Sequence, residues 1–341
     1  MAALARVQDP ELHRDLVSLG LVEQVEINGQ AVAVRINLTT PACPLKEQIE
    51  ADVRAALAGT GAQEISVVLE GQVRPRSGTL PGVKHILAIG SGKGGVGKSS
   101  VAANVAVALA QDGAQVGLLD ADIYGPSQAH LFGVSGEKLK INQDKKILPL
   151  ERYGISVLSV ANVAPPGEAM IWRGPILHGT IRQFLQDVLW GELDYLVVDL
   201  PPGTGDVQLS LAQLTSVSGG AIVTTPQPLA RIDAERALDM FHKVQIPVLG
   251  VIENMSYFTC PHCGERSAIF GEGGGQALAE SAGVAFLGQV PFVPALREDS
   301  DRGIPIMASA PDSEAAQALR TVARQLAGQL SIQSMASLPM V

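Results

Sequence analysis

Val32, Val34, Ile36 and Leu38 alternate with other residues and give a strand over Gln30 to Leu38 one apolar face. Val22 to Ile27 is a second strand-like run, joined to the first by Asn28-Gly29, a strong hairpin signal between alternating segments. Leu45, Ile49, Val53 and Leu57 then recur every four residues, as one face of a helix does. Ile65 to Leu69 is a third strand. Upstream, Asp9-Pro10-Glu11 has the cap-then-proline pattern that opens a short helix. These elements predict a small α+β domain over residues 1–72. The following segment, 73–83, contains Arg74, Pro75, Arg76, Gly78 and Pro81 and reads as a flexible linker.

From residue 84 the pattern changes. Ile86 to Ile89, Val116 to Leu119, Tyr195 to Val198, Ala221 to Thr224 and Val248 to Ile252 are short aliphatic runs separated by helical or glycine-rich sequence. Continuous apolar strands alternating with helices predict a doubly wound, mostly parallel α/β sheet covered on both faces. Ligands of such sheets lie at the carboxyl ends of the strands. The domain is expected to span 84–330, with a helix over Ser313 to Leu326 and a polar, unpatterned tail over 331–341.

Gly92-Lys93-Gly94-Gly95-Val96-Gly97-Lys98-Ser99 lies between the first of these strands and a helix rich in Ala and Val. Strand, glycine loop, Gly-Lys-Ser and helix in that order make a phosphate-binding loop. Its backbone N–H groups and the helix N-terminus attract phosphate oxygens. Lys98 is expected on the β/γ-phosphates of ATP and the Ser99 hydroxyl on Mg²⁺.

Composition narrows the classes. At 341 residues with 46% hydrophobic and 17% charged residues, the chain is a globular protein with ample core, and at 4% aromatic that core is aliphatic. A net charge of -9 argues against a nucleic-acid partner held by phosphate neutralisation. No apolar run reaches the roughly 18 residues of a membrane span, and the N-terminus lacks the signal-peptide pattern. Only three cysteines occur, which suits a reducing cytoplasm rather than a disulfide framework.

Three further stretches carry chemistry. Leu118-Leu119-Asp120-Ala121-Asp122 ends a strand with two carboxylates. Water positioning is assigned to Asp122, and a metal-shell or structural role to Asp120. Asp194 to Asp199 is an apolar strand ending in Asp, about a hundred residues after the phosphate loop, so Asp199 is expected to hold Mg²⁺ through water. Cys260-Pro261-His262-Cys263-Gly264 supplies half of a four-thiolate site, with His262 a loop residue rather than a ligand. A redox pair is disfavoured, because the cysteines do not open a helix after a first βαβ strand, whereas half a zinc site and half a shared Fe–S site both remain open on chemistry alone. Cys43, in Thr39-Thr40-Pro41-Ala42-Cys43-Pro44, is either a reactive thiol or a small buried hydrophobe.

Lys93, directly after the first loop glycine, resembles the signature of the deviant Walker A ATPases, among them the Par and Min positioning ATPases and nitrogenase iron protein. That resemblance implies a nucleotide-linked homodimer in which Lys93 reaches the facing subunit's nucleotide. It implies that Asn254 bonds the adenine, with the 291–297 loop closing over the base. It also implies that Pro201-Pro202-Gly203-Thr204-Gly205-Asp206 is the second switch, with the Gly203 amide on the γ-phosphate. Residues 1–72 resemble a domain of iron–sulfur assembly proteins. Asp-Ala-Asp-Ile-Tyr-Gly-Pro-Ser (120–127), Trp172-Arg173-Gly174-Pro175, Asp-Leu-Pro-Pro-Gly-Thr-Gly-Asp (199–206) and Cys-Pro-x-Cys, together with Lys93, look like the Mrp/ApbC iron–sulfur cluster carrier ATPases. The resemblance implies a homodimer bridging a labile [4Fe–4S] cluster through Cys260 and Cys263 of both chains. Its partners would be apo iron–sulfur proteins and cluster-assembly scaffolds. A positioning ATPase predicts instead a basic surface or tail, yet 331–341 holds no Lys or Arg. A nitrogenase-like reductase would carry its cluster cysteines singly. A zinc-knuckle ATPase is the remaining alternative.

Overall fold

Gly29, at a left-handed φ of 62°, closes the hairpin between β1 (Val22–Asn28) and β2 (Ala31–Leu38). β2 continues through α1 (Lys46–Ala58) to β3 (Glu64–Gly71), which pairs with it in parallel. The alternating side chains Val32, Val34, Ile36 and Leu38 and the helix face Ile49, Val53 and Leu57 share one core. Cys43 lies in that core, 7% exposed. The computed structural model describes the chain apart from Glu11, Ser77 and residues 164–173 and 337–341. Trp172 and Arg173 therefore lie outside the described residues.

The helix expected after Asp9 is not formed. Gln8–Asp9 pairs with Arg14–Asp15 instead, across a turn in which Asp9 accepts from the Leu12 amide and His13 takes a φ of 50°. Asp9 caps a turn rather than a helix, because the left-handed residue four positions on ends the run.

The chain divides into two compact units, one of residues 1–74 with the stretch from Ala327 onward, the other Pro75–Leu326. The segment expected as a flexible linker is tied down within its own units. Val73 and Leu80 are buried, Arg76 donates to the Ser218 carbonyl at 2.9 Å, and Thr79 donates to the Val83 carbonyl at 2.7 Å. The C-terminal expectation also changes. The last helix runs Glu314–Ala336, so most of the supposed tail is helical. Leu330 is buried and Met335 packs against the core of the first unit, an apolar pattern diluted by Ser and Gln in the sequence.

In the second unit eight strands form one sheet. They are β4 (Val83–Ser91), β5 (Val116–Asp120), β6 (Leu150–Arg152), β7 (Ile155–Ser159), β8 (Leu193–Asp199), β9 (Gly219–Thr224), β10 (Val248–Asn254) and β11 (Phe286–Val290). Their order is β6-β7-β5-β8-β4-β9-β10-β11, parallel except for β6 against β7. β5 and β9 are buried along their whole length, as a sheet covered on both faces requires. From β4 the chain moves to β5 on one side, whereas β9, β10 and β11 lie on the other. The carboxyl end of β4 is thus the topological switch point, where the glycine loop sits.

Candidate nucleotide site and cysteine hairpin

The loop after β4 leads into α2 (Lys98–Gln111). Two glycines there are dictated by close approach. A Cβ on Gly92 would lie 2.1 Å from the Asp233 backbone, and one on Gly97, at φ 81°, would lie 2.1 Å from Nδ2 of Asn254. Val96 is buried, Gly94 and Gly95 are exposed, and Gly95 has a φ of 82°. Lys93 is half-buried and its carbonyl accepts from the Ser91 hydroxyl at 3.1 Å.

Lys98 is buried at the centre of a carboxylate cluster. Its Nζ pairs with Asp199 at the end of β8, donates to the Ser99 hydroxyl at 3.1 Å, and stands 3.7 Å from Oδ2 of Asp122. Asp120 and Asp199 are register partners on adjacent strands. Burial, and then the charge of Asp199, push the Asp120 carboxyl up to about 7. Burial also raises Asp122, against the pull of Lys98.

The two aspartates of the 120–122 pair differ in their partners. Asp120 is fully buried, and its Oδ2 accepts from the amides of Ser127 (3.0 Å) and Gln128 (2.9 Å) and the hydroxyl of Ser159 (2.8 Å). It organises the segment that follows. Asp122 is freer, its Oδ1 accepting from the Gly125 amide at 3.1 Å, and it lines a cavity of about 480 Å³ with Tyr124, Pro202 and Asp206.

The Gly203 amide, expected on a γ-phosphate, donates to the Ser91 carbonyl at 2.8 Å, so it must leave that bond to meet any other acceptor. Asn254, expected on a base, donates through Nδ2 to the Val96 carbonyl at 2.9 Å. It braces the glycine loop from below.

Three residues around the nucleotide site escaped the sequence reading. Gln128 donates from Nε2 to Asp199 (2.7 Å) and to the Ser99 carbonyl (3.0 Å). Gln208 folds the 201–206 loop by donating to the carbonyls of Pro201 and Gly203. Glu253, fully buried, accepts from Ser256, Gln289 and the Gly275 amide. A glutamine or a glutamate outside a motif carries no signal in a single sequence.

Beyond Asn254 the chain turns at Met255, whose φ is 54°, and enters a small hairpin, Phe258–Thr259 against Arg266–Ser267. Cys260 and Cys263 sit at its tip, the first partly exposed and the second exposed. The Cys260 amide donates to the Glu265 carbonyl and the Gly264 amide to the Cys260 carbonyl, both at 2.9 Å. Hydrogen bonds from the Cys263 and His262 amides lower the Cys260 thiol below its ordinary range. Glu314, opening the last helix, holds the hairpin base by accepting from Tyr257, Thr259 and Arg266. Arg266 also lies over the Tyr257 ring at 4.4 Å. Among the described residues, no cluster of three or more His, Cys, Asp or Glu is arranged to hold a metal ion. No described helix is long and apolar enough to cross a membrane.

A switch-point glycine loop on a parallel sheet, with a buried lysine, an adjoining serine and an aspartate ending the neighbouring strand, defines a P-loop NTPase. Residues 82–327 match the family described as NUBPL iron-transfer P-loop NTPase (ParA), and residues 1–67 match the iron–sulfur cluster assembly protein family. The chain belongs to the iron-transfer P-loop NTPases. It is 55% identical to the iron–sulfur cluster carrier protein of Deinococcus radiodurans, over 99% of this chain and 97% of that one. Identity to the iron–sulfur cluster carrier protein of Synechocystis is 47%, over 97% of each chain. Among solved structures, the nucleotide-binding protein of Archaeoglobus fulgidus in complex with ADP is similar at 42% identity and a TM-score of 0.58, covering 65% of this chain and 88% of that one.

Proposed function

We propose that the chain, an ATPase of the iron-transfer family, carries a [4Fe–4S] cluster as cargo between the paired cysteines of two copies of itself. It delivers the cluster to apo iron–sulfur proteins, receives it from assembly scaffolds, and works in the cytoplasm. The observation that carries this reading is the Cys260–Cys263 tip. Backbone amides favour the Cys260 thiolate, the state that ligates iron, and the hairpin tip leaves Cys260 partly exposed and Cys263 exposed. A cubane takes four thiolates, and each chain brings two at this place. A homodimer, which the position of Lys93 also supports, completes the set.

At the nucleotide site the oxygen-rich surroundings suit a hard cation. Ser99 and Asp199 would hold Mg²⁺, which would neutralise charge on the β/γ-phosphates. Lys98 exchanges Asp199 for the phosphates when ATP binds. Asp122, beside Lys98 and lining a cavity, orients the attacking water, and Asp120 holds its segment in place. Asn254 stabilises the glycine loop and reaches the base from the same edge. The second switch moves when Gly203 trades the Ser91 carbonyl for the γ-phosphate.

Anaerobic reconstitution with iron and sulfide, followed by incubation with an apo iron–sulfur enzyme, tests this reading. Broad absorbance near 400 nm that passes to the acceptor and restores its activity is the expected result. Stoichiometric zinc resisting replacement by iron would contradict it.

A further inference from the structure

Gln128 is fully buried at the start of a short helix, Gln128–Leu131, and its backbone amide is fixed by Asp120. Its side-chain amide is used on one side only. Nε2 donates to Oδ2 of Asp199 at 2.7 Å and to the Ser99 carbonyl at 3.0 Å. Two oxygen acceptors on that side fix which end of the amide is nitrogen. The other end, Oε1, is buried and finds no donor among the described residues. A buried carbonyl oxygen without a donor is costly, about 1–3 kcal/mol, and in a native structure it calls for an explanation. Oε1 shares its amide carbon with Nε2, whose two acceptors are the carboxylate and the backbone of the pair expected to carry the metal.

We propose that Gln128 is a positioning residue for Mg²⁺. Its Nε2 ties the Asp199 carboxylate to the Ser99 backbone, and its Oε1 accepts a hydrogen bond from a metal-bound water. The inference rests on the Mg·ATP reading of the site. Mg²⁺ keeps several waters when it binds a nucleotide, and a metal-bound water is a strong donor, so the orphaned acceptor and the missing donor match. The same residue explains the arrangement around Asp120. That carboxylate holds the backbone that aims Gln128, so Asp120 acts on the metal site at one remove.

The test compares the wild type with Gln128→Met, which keeps the length of the side chain without its hydrogen bonds, and Gln128→Glu, which keeps an acceptor. The affinity of a fluorescent ATP analogue is titrated against free Mg²⁺ and measured again in EDTA. For Gln128→Met the Mg²⁺ midpoint is expected to weaken roughly tenfold, as loss of an outer-shell partner does. Binding in EDTA should keep its wild-type value, and the Gln128→Glu midpoint, which keeps the acceptor but loses the Nε2 tie to Asp199 and Ser99, should fall between those of Gln128→Met and the wild type. An unshifted Mg²⁺ midpoint in Gln128→Met, or equal losses with and without Mg²⁺, would overturn the assignment. A Gln128→Glu midpoint as weak as that of Gln128→Met would also overturn it. If Mg²⁺ leaves nucleotide binding by the wild type unchanged, the reading beneath fails instead, and the two failures are distinguishable. Coincident thermal melts of the three proteins exclude misfolding as the cause.

Discussion

Nδ2 of Asn254 donates to the carbonyl of Val96 at 2.9 Å, so the strand that leads to the cysteines also braces the glycine loop. Cys260 lies six positions after Asn254, and the left-handed Met255 lies between. Any displacement of the loop by phosphate therefore bears on the start of the cysteine hairpin. Asn254→Ala leaves the Val96 carbonyl without its donor. It should lower unfolding stability by about 1–3 kcal/mol and weaken ATP binding. Urea denaturation and nucleotide titration check this; unchanged affinity would separate the brace from the site.

Lys98 and Asp199 neutralise each other in the structure, a pairing that the proposed contact of Lys98 with ATP would replace. Lys98→Ala removes the cation proposed to meet the β/γ-phosphates and should abolish ATP binding in calorimetry. Lys93→Ala, altering a half-buried side chain on the loop, should spare binding and lose turnover. Equal loss of affinity in the two variants would contradict the division of labour.

The strands and the loop were legible because their signals are local. β4, β8 and β10 are continuous aliphatic runs, and Gly92 to Ser99 is a contiguous motif. What was not legible depends on distant partners. Gln128 matters because Asp199 and Ser99 reach it across the fold, and Glu314 because the hairpin folds back onto its helix. β7 and β11 lie outside the strand runs read from the sequence, although both extend the sheet. Arg76 and Leu80 sit among prolines and glycines that suggest mobility, yet a single hydrogen bond and one buried side chain fix them.

Asp120 makes stability depend on pH. Its carboxyl ordinarily titrates at 3.8 but is pushed up to about 7 by burial and by Asp199. Between those values the unfolded chain has released a proton that the folded chain retains. The contribution of this group is therefore complete below 3.8 and lost as pH rises through about 7. Urea unfolding across this range should show the wild type losing stability relative to Asp120→Asn as pH rises. A constant difference between the two would contradict the burial argument.

Glu314 accepts from Tyr257, Thr259 and Arg266, which are the supports of the cysteine hairpin. Glu314→Ala should leave the melting transition nearly unchanged, because Arg266 is largely solvated and Glu314 itself is 36% exposed. It should speed the loss of reconstituted iron to a chelator, because the sulfurs are no longer held at a fixed spacing. Identical chelation rates would show that the hairpin holds its shape unaided.

Iron per chain after anaerobic reconstitution, read beside the oligomeric mass, tests the central claim most directly. A shared cubane predicts about two irons per chain on a dimer, lost in Cys260→Ala and in Cys263→Ala with ATP binding intact. Cys43→Ala should retain the iron, because that thiol is buried in the core of the other unit. Full iron loading on a strict monomer, or iron that survives loss of either hairpin cysteine, would contradict it.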